Sequence, residues 1–518
     1  MGKPGKKQDR LGALPAAPVL RPGAWEVPRA GATPEESFRA TTPPERRRRL
    51  GQFFTPEPLA RLMARWVAGC NPRSVLDPAA GPGVFVRAVR EQVPGCRVTA
   101  VDVDPVALDA ARAALHGYAG VDLVLADFLT WDSGAVFDAI LANPPYLKHH
   151  DVLYDHDVHA EVGARCGVRL SRLTNLYALF IVEACRRLRP GGRAAILVPG
   201  EWTNANFGDA LKAFLIGRGL LKTLVYYSHA STVFEDALTT ASVLLLANDG
   251  ADGPVTAAFV DGDPPAEGLA PLFDGGRAAP PGVAVREFTP AALLAARKWD
   301  HLLRHGPADD EDGWVPLSAL AATQRGIATG ANRFFHVPEA TLAGWDIRPG
   351  HALPCVGRAL DVDGVEFDDA AFRRLAAGGA RAYLLDFGRP PELTAGERAY
   401  LARGEAEGLP ARYLLAGRRP WYAMESRPPS PIWAAVFGRK GLRFVRNLAG
   451  VRNLTAFHCI YPRSTDPAHA SALASLLNRP DVAEKALRHV RVYGGGLRKV
   501  EPRDLLDIRV PDPGGELR

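Results

Sequence analysis

From residue 51 the chain alternates between apolar positions spaced three and four apart and short aliphatic runs, the two patterns that separate a one-faced helix from a buried strand. PEPLARLMARWVAG predicts a helix, SVLDPAA a strand, FVRAVREQV a helix, RVTAVDVD a strand and PVALDAARAALHG a helix, followed by strands VDLVLADF and FDAILANPP. Helix LYALFIVEACRRL, turn RPGG, strand RAAILVP, helix FGDALKAFLIG and strands TLVYYS and ASVLLLAND continue the series. Apolar strands alternating with helices specify a doubly wound, mostly parallel α/β sheet covered on both faces.

The pattern is not uniform along the chain. Residues 1–35 are rich in Gly, Pro, Ala and Lys without a period and read as a disordered basic leader. The sheet-forming series occupies 36–260. Residues 261–295, introduced by NDGADGP and containing FDGGRAAPPG, read as a connecting segment. Residues 296–518 hold shorter, irregular segments with many Arg and aromatic residues, which predicts a second, α+β domain. A length of 518 residues exceeds what one ordinary core serves, in keeping with two domains. No run of about 18 apolar residues predicts a membrane span, and MGKPGKKQDR has no apolar stretch behind it, so a cytoplasmic location is expected. The six cysteines are scattered without a C-x-x-C pair and read as packed thiols. A net charge of +6 is compatible with phosphate backbones but does not demand them. The run Arg46 to Arg49 fits a phosphate-binding patch or a solvated helix face equally well.

Candidate chemistry collects where strands end. The loop Asp77-Pro78-Ala79-Ala80-Gly81-Pro82-Gly83 joins a strand to a helix, and its glycines let backbone approach a ligand at the strand's carboxyl end. Val86 stands where a dinucleotide fingerprint needs its third glycine, so a nicotinamide cofactor is disfavoured. Asp102, about 20 residues further on, is placed to accept hydrogen bonds from ribose hydroxyls. Asp104 before Pro105 is more simply a helix cap, though the two carboxylates can exchange roles. Asp127 offers a carboxylate to an exocyclic adenine amine and Phe128 a ring against the base. Asp77, Ala79, Gly81, Gly83, Asp102, Asp127 and Phe128 together suit an adenosine cofactor.

The tetrapeptide Asn143-Pro144-Pro145-Tyr146 ends strand FDAILA on the same rim. An aromatic exocyclic amine is a poor nucleophile because its lone pair is spread into the ring. If the Asn143 side-chain oxygen and the Pro144 carbonyl each accept an amine proton, the nitrogen moves toward tetrahedral geometry and its lone pair can meet an electrophilic methyl. Prolines fix the loop, and Tyr146 offers a face to a flipped-out base. This chemistry needs no metal.

In this order the motifs resemble those of the gamma-class amino-methyltransferases of restriction-modification systems, especially the N6-adenine DNA methyltransferases. The resemblance spans most of residues 50–510. It implies a class I, Rossmann-like sheet with a target-recognition domain, S-adenosylmethionine as cofactor, double-stranded DNA as substrate and a separate restriction endonuclease as partner. Gly51-Gln52-Phe53-Phe54-Thr55-Pro56 is similar to the family's motif that meets the methionine part of the cofactor, which assigns Thr55 there. Phe234 stands where the family places a second aromatic against the adenine. Ala80, Pro82 and Asp102 depart from the usual Cys, Ser and Glu. Arg325 to Asn332 and Tyr493 to Lys499 are similar to target-recognition segments. In them Arg325, Arg498 and Lys499 are candidate DNA contacts, with Arg443, Arg446 and Arg452 as further cations for phosphate or guanine.

His149, His150, His156, His159 and Cys166 lack the spacing of a tetrahedral zinc site, and no metal is assigned. Cys355 reads as structural. Two other readings remain open: an enzyme acting on RNA bases or a protein glutamine, and a non-catalytic nucleic-acid-binding relative.

Overall fold

The computed structural model describes residues 32–514 apart from 150, 152–153, 229–230, 232–239, 307–312, 389–391, 439–441, 488–489 and 494–496, with backbone alone at 437–438, 491–493 and 497–498. The chain divides into two compact units between Pro307 and Ala308. In the first, α1 (Pro34–Thr41), α2 (Pro44–Leu50) and α3 (Glu57–Ala68) precede β1 (Ser74–Asp77), α4 (Val84–Gln92), β2 (Arg97–Asp102), α5 (Pro105–Ala114), β3 (Val121–Leu125) and β4 (Phe137–Ala142). There follow α6 (Val158–Cys166), α7 (Leu176–Arg186), β5 (Leu188–Pro199), α8 (Gly208–Gly217), β6 (Leu221–Tyr227), β7 (Ala241–Ala247), β8 (Val255–Val260), α9 (Ala266–Phe273), β9 (Val283–Phe288), α10 (Pro290–Ala295) and α11 (Trp299–His305).

The nine strands lie in one sheet, in the order β3-β2-β1-β4-β5-β7-β6-β8-β9. β7 runs antiparallel between β5 and β6, and β9 antiparallel to β8; the other pairings are parallel. Strand pleating sends alternate residues to opposite faces. Leu76, Ile140, Ile196 and Leu244 therefore pack with α7 and α8 on one side. Val75, Leu141, Leu197 and Leu245 pack with α3 and α4 on the other. Because β1 pairs with β2 on one edge and β4 on the other, the strand order reverses at β1, and a crevice opens there above the strands' carboxyl ends.

Four local features depart from the sequence pattern. The RPGG turn is part of β5: the pairing with β4 jumps from Phe137↔Leu188 to Ala139↔Arg193, so Pro and Gly mark a bulge, with Gly191 at φ +79, rather than a strand start. The segment 261–295 is not a connector alone, because α9 and β9 belong to the first unit and β9 completes its sheet. α11, expected with the second domain, also packs on the first unit, where Trp299 is fully buried with its ring centroid 5.4 Å from that of Trp202. At the other end, α1 starts inside the assigned leader. Thr33 caps α1 by accepting from the Glu36 amide at 3.2 Å, and the Glu36 carboxylate accepts from the Thr33 amide at 2.8 Å.

The second unit is α+β and built around several small cores. A five-stranded sheet runs in the order Ala321–Arg325, Phe457–Pro462, Ile432–Ala435, Phe444–Asn447, Glu366–Phe367. Helices Pro467–Leu477 and Pro480–Ala486 cover one part, and helix Ala395–Ala406 packs in a separate core with Phe334 and Leu385. Among the described residues no helix is long and apolar enough to cross a membrane.

Candidate functional site

Four of the polar residues singled out by the sequence stand at the carboxyl ends of four neighbouring strands: Asp77 on β1, Asp102 on β2, Asp127 just past β3 and Asn143 just past β4. Asp102, Asp127 and Asn143 line a cavity of about 290 Å³ whose wall also includes Pro78 to Pro82 and Phe128, whereas Asp77 is not part of that wall. Gly81 and Gly83 hold positive φ of 51 and 94, and a side chain at Gly81 would meet no protein atom within 4 Å. The loop therefore keeps its backbone bare toward a ligand.

The carboxylates are oriented by protein donors. The Gly81 amide donates to Asp102 Oδ2 and the Asp104 amide to Oδ1, each at 2.8 Å. Burial pushes the Asp102 carboxyl up to about 6, against the pull of these two amides. Asp77 is more deeply buried: Oδ1 accepts from the Ala79 amide at 3.3 Å, Oδ2 has no partner, and burial pushes the carboxyl to about 8. Asp104 is the helix cap, accepting from the Val106 amide at 3.0 Å. It also receives Arg46 at 2.6 Å and Gln52 at 2.9 Å, so one member of the Arg46 to Arg49 run turns inward and ties α2 to the end of β2.

Asp127 meets a residue the sequence did not single out. Its Oδ1 accepts from the Leu129 amide at 3.0 Å and its Oδ2 from the Tyr154 hydroxyl at 2.7 Å. Phe128 lines the cavity but is only 1% exposed, held against Phe180 with centroids 5.2 Å apart and beneath the Arg187 guanidinium. Its ring is thus chiefly a core element that reaches the cavity wall.

The loop 143–146 is held from beneath by the segment 51–55. Asn143 Nδ2 donates to the Phe53 carbonyl and to Thr55 Oγ1, both at 3.0 Å. A carbonyl only accepts, so this bond fixes the amide orientation and turns Oδ1 the other way. That oxygen is buried and has no partner. The Tyr146 amide donates to the Gly51 carbonyl at 2.9 Å. Gly51 has φ +63, and a Cβ there would lie 2.8 Å from the Tyr146 nitrogen, so the close approach requires glycine. Phe53 stacks on one face of Tyr146 at 4.7 Å, and Tyr177 meets the ring edge-on at 6.5 Å. Burial keeps the Tyr146 hydroxyl protonated. A second cavity, about 610 Å³, is lined by Tyr146, Pro199, Tyr227 and Ala241, and Asn143 and Thr55 contribute to the walls of both. Phe234 lies outside the described residues.

Glu35 also lines both cavities. It accepts from Arg87 at 2.7 Å through Oε2, while Oε1 is buried without a partner. Sequence reasoning passed over it as leader; the capping box Thr33 to Glu36 was the available sign of a helix there.

In the second unit Arg325 is exposed at a strand end and shares with Arg333, Arg403, Arg412 and Lys499 a polar cavity of about 900 Å³. Lys499 is paired with Glu501 at 2.6 Å. Arg498 lies on strand Leu497–Lys499. Arg443 is not a free cation for DNA: it donates to the carbonyls of Val362 at 2.5 Å and Ala359 at 2.7 Å, and its burial reflects that structural task. Arg446 lies 3.6 Å from Glu366 across a strand pair. The histidines reach separate partners: His159 is buried against the Thr174 carbonyl at 2.9 Å, and His156 lies beside Asp155 at 2.8 Å. Cys166 is buried 3.6 Å from Glu183, and His150 lies outside the described residues.

Family models match both units. One described as N-6 DNA Methylase covers residues 36–265, and one described as Type II methyltransferase M.Eco57I, C-terminal domain, covers 299–516. Type II methyltransferase M.AccI of Acinetobacter calcoaceticus is 33% identical over 468 residues, 89% of this chain and 85% of that protein. Type II methyltransferase M.XamI of Xanthomonas campestris pv. amaranthicola is 27% identical over 477 residues, with the same 89% and 85% coverage. Among solved structures, the Type IIL restriction-modification enzyme MmeI in complex with DNA aligns with a TM-score of 0.57 over 92% of this chain and 70% of that one. At 11% identity this is a likeness of fold.

Proposed function

The chain belongs to the Type II methyltransferases, site-specific adenine DNA methyltransferases of restriction-modification systems, and from that premise we propose how its residues do the work. The donor is S-adenosylmethionine, and the acceptor is the N6 amine of an adenine turned out of double-stranded DNA. The observation that carries this reading is the Asn143 amide, clamped through its nitrogen while its buried oxygen meets no donor. A buried acceptor without a partner costs about 1–3 kcal/mol. An amine proton from the target base would satisfy it.

The cavity chemistry fits the donor. Asp102 suits the ribose hydroxyls, Asp127 the adenine amine with Phe128 beside the ring, and Asp77, Ala79, Gly81, Gly83 and Thr55 form the remaining wall or its support. When bound, S-adenosylmethionine supplies a methyl made electrophilic by the sulfonium. The protein's part is to present the amine: Asn143 Oδ1 and the Pro144 carbonyl each accept a hydrogen bond from it, which draws the nitrogen lone pair out of the ring, and the proton displaced by the methyl leaves to solvent. Pro144 and Pro145 hold the loop's backbone angles, which keeps the two acceptors in register. The Tyr146 ring, which borders the second cavity, receives the base by stacking. On family resemblance Phe234, which lies outside the described residues, is the second aromatic against the adenine. Arg325, Arg498 and Lys499 hold DNA phosphates. The enzyme works in the cytoplasm, beside a separate endonuclease that cuts the same sequence when it is unmethylated.

Nucleoside analysis and methylation-sensitive sequencing of DNA from an expressing host test the reading together. N6-methyladenine confined to one short sequence is expected. Methyl groups on cytosine, on RNA or on a release-factor glutamine, with adenine untouched, would contradict it.

A further inference from the structure

Glu35 is a charged side chain 7% exposed, and only half of its carboxylate is satisfied. Oε2 takes the Arg87 guanidinium at 2.7 Å, which leaves Oε1 buried in the cavity wall with no donor. An ionised oxygen in that condition calls for a strong donor, and a cation above all. Its place along the cavity narrows the choice. Glu35, Phe53, Phe54, Thr55 and Asn143 border both cavities, whereas Asp102 and Asp127 border the first alone. Glu35 therefore lies toward the methyl-transfer end and away from the adenine and ribose end.

Granting S-adenosylmethionine as donor, the groups at that end are the sulfonium, which has no hydrogen to donate, and the amino acid's α-ammonium and carboxylate. We infer that Glu35, presented by the first turn of α1, binds the α-ammonium of the cofactor's amino-acid tail through Oε1. The tail's carboxylate is repelled by Glu35 and falls to the side of Thr55, whose Oγ1 accepts from Asn143 and keeps its own hydrogen to donate. The Arg87 contact at 2.7 Å fixes the Glu35 rotamer, so α1 acts as a wall that recognises a zwitterion.

The test is calorimetric titration of the full chain with S-adenosylhomocysteine and with its desamino analogue, which lacks the ammonium. Wild-type protein should prefer the amine-bearing ligand by roughly thirtyfold, the scale of a hydrogen bond to a charged group. Glu35→Gln should reduce that preference to about threefold or less while the analogue binds as before. Glu35→Asp, which withdraws the charge by one methylene, should keep part of it. Thr33→Ala, which removes only the cap of α1, should weaken both ligands alike and leave the preference intact. An unchanged preference in Glu35→Gln, or equal loss of both ligands in that variant, would overturn the assignment; so would a fall in turnover alone with the binding ratio preserved. Wild-type protein that binds neither ligand would overturn the donor itself.

Discussion

At the end of the first cavity proposed for adenine and ribose, both oxygens of Asp102 and both of Asp127 already have a protein donor: Asp102 accepts from the Gly81 and Asp104 amides, and Asp127 from the Leu129 amide and the Tyr154 hydroxyl. At the methyl-transfer end Asn143 Oδ1 and Glu35 Oε1 are buried with none. A carboxylate oxygen with one donor keeps a second lone pair, so the first arrangement orients a site that then binds neutral hydroxyls and amines. The second leaves Asn143 Oδ1 unsatisfied until the target amine arrives, which puts that interaction where it changes the reaction most, while Glu35 Oε1 waits for the cofactor's tail. One end of the site is thus built for fit and the other for chemistry.

This contrast can be broken at either end. The largest effect is expected for Asn143→Ala. Single-turnover transfer of labelled methyl to DNA should fall by roughly 10³-fold, in line with loss of one preorganised polar group, while calorimetric cofactor affinity changes little. Parallel loss of binding would place Asn143 on the fitting side. Gly51→Ala should come next. Its Cβ would lie 2.8 Å from the Tyr146 nitrogen in a left-handed backbone, and displacement of the loop by about 1 Å can cost on the order of 10²-fold in kcat. Tyr154→Phe should act mainly on the other end: it removes one orienting bond from Asp127 and is expected to weaken cofactor binding about fivefold with kcat preserved. Tighter binding would mean that the hydroxyl competes with the adenine amine.

The smallest effect concerns pH. Burial raises Asp77 to about 8 and Asp102 to about 6. The folded state then holds protons that the unfolded chain releases at the ordinary carboxylate value. Their contribution is fully present below that value and is lost as pH rises through about 6 and then about 8. The Tm of cofactor-free protein should decline across this window. Asp77→Asn should flatten its upper part, raising Tm at pH 8.5 by a few degrees, roughly 3 °C. An unaltered slope would remove the buried charge from the account.

The central sheet was legible because its strands are apolar enough to announce themselves and its polar loops fall at their ends. Asp102 as an anchored carboxylate and Asp104 as a cap follow from local spacing, as the amides they accept show. The edge of the sheet was hidden because β8 and β9 sit among Gly- and Pro-rich turns, and the bulge in β5 was hidden because Pro and Gly signal a turn unless neighbouring strands hold them in line. Contacts across space were not legible at all. Tyr154 reaches Asp127 over 27 residues, Glu35 reaches Arg87 over 52 and Arg46 reaches Asp104 over 58. Arg443 illustrates the converse error: an arginine looks free for phosphate until the backbone carbonyls it serves come into view.

The account turns on whether Asn143 Oδ1 accepts a hydrogen bond from the target amine. A crystal structure of the full chain with its DNA site and a non-reactive cofactor analogue measures this directly. The account predicts an extrahelical adenine stacked on Tyr146, with its N6 about 2.7–3.2 Å from both Asn143 Oδ1 and the Pro144 carbonyl. An adenine still stacked in the duplex, or one bound in the pocket with Asn143 Oδ1 turned to another donor, would contradict it.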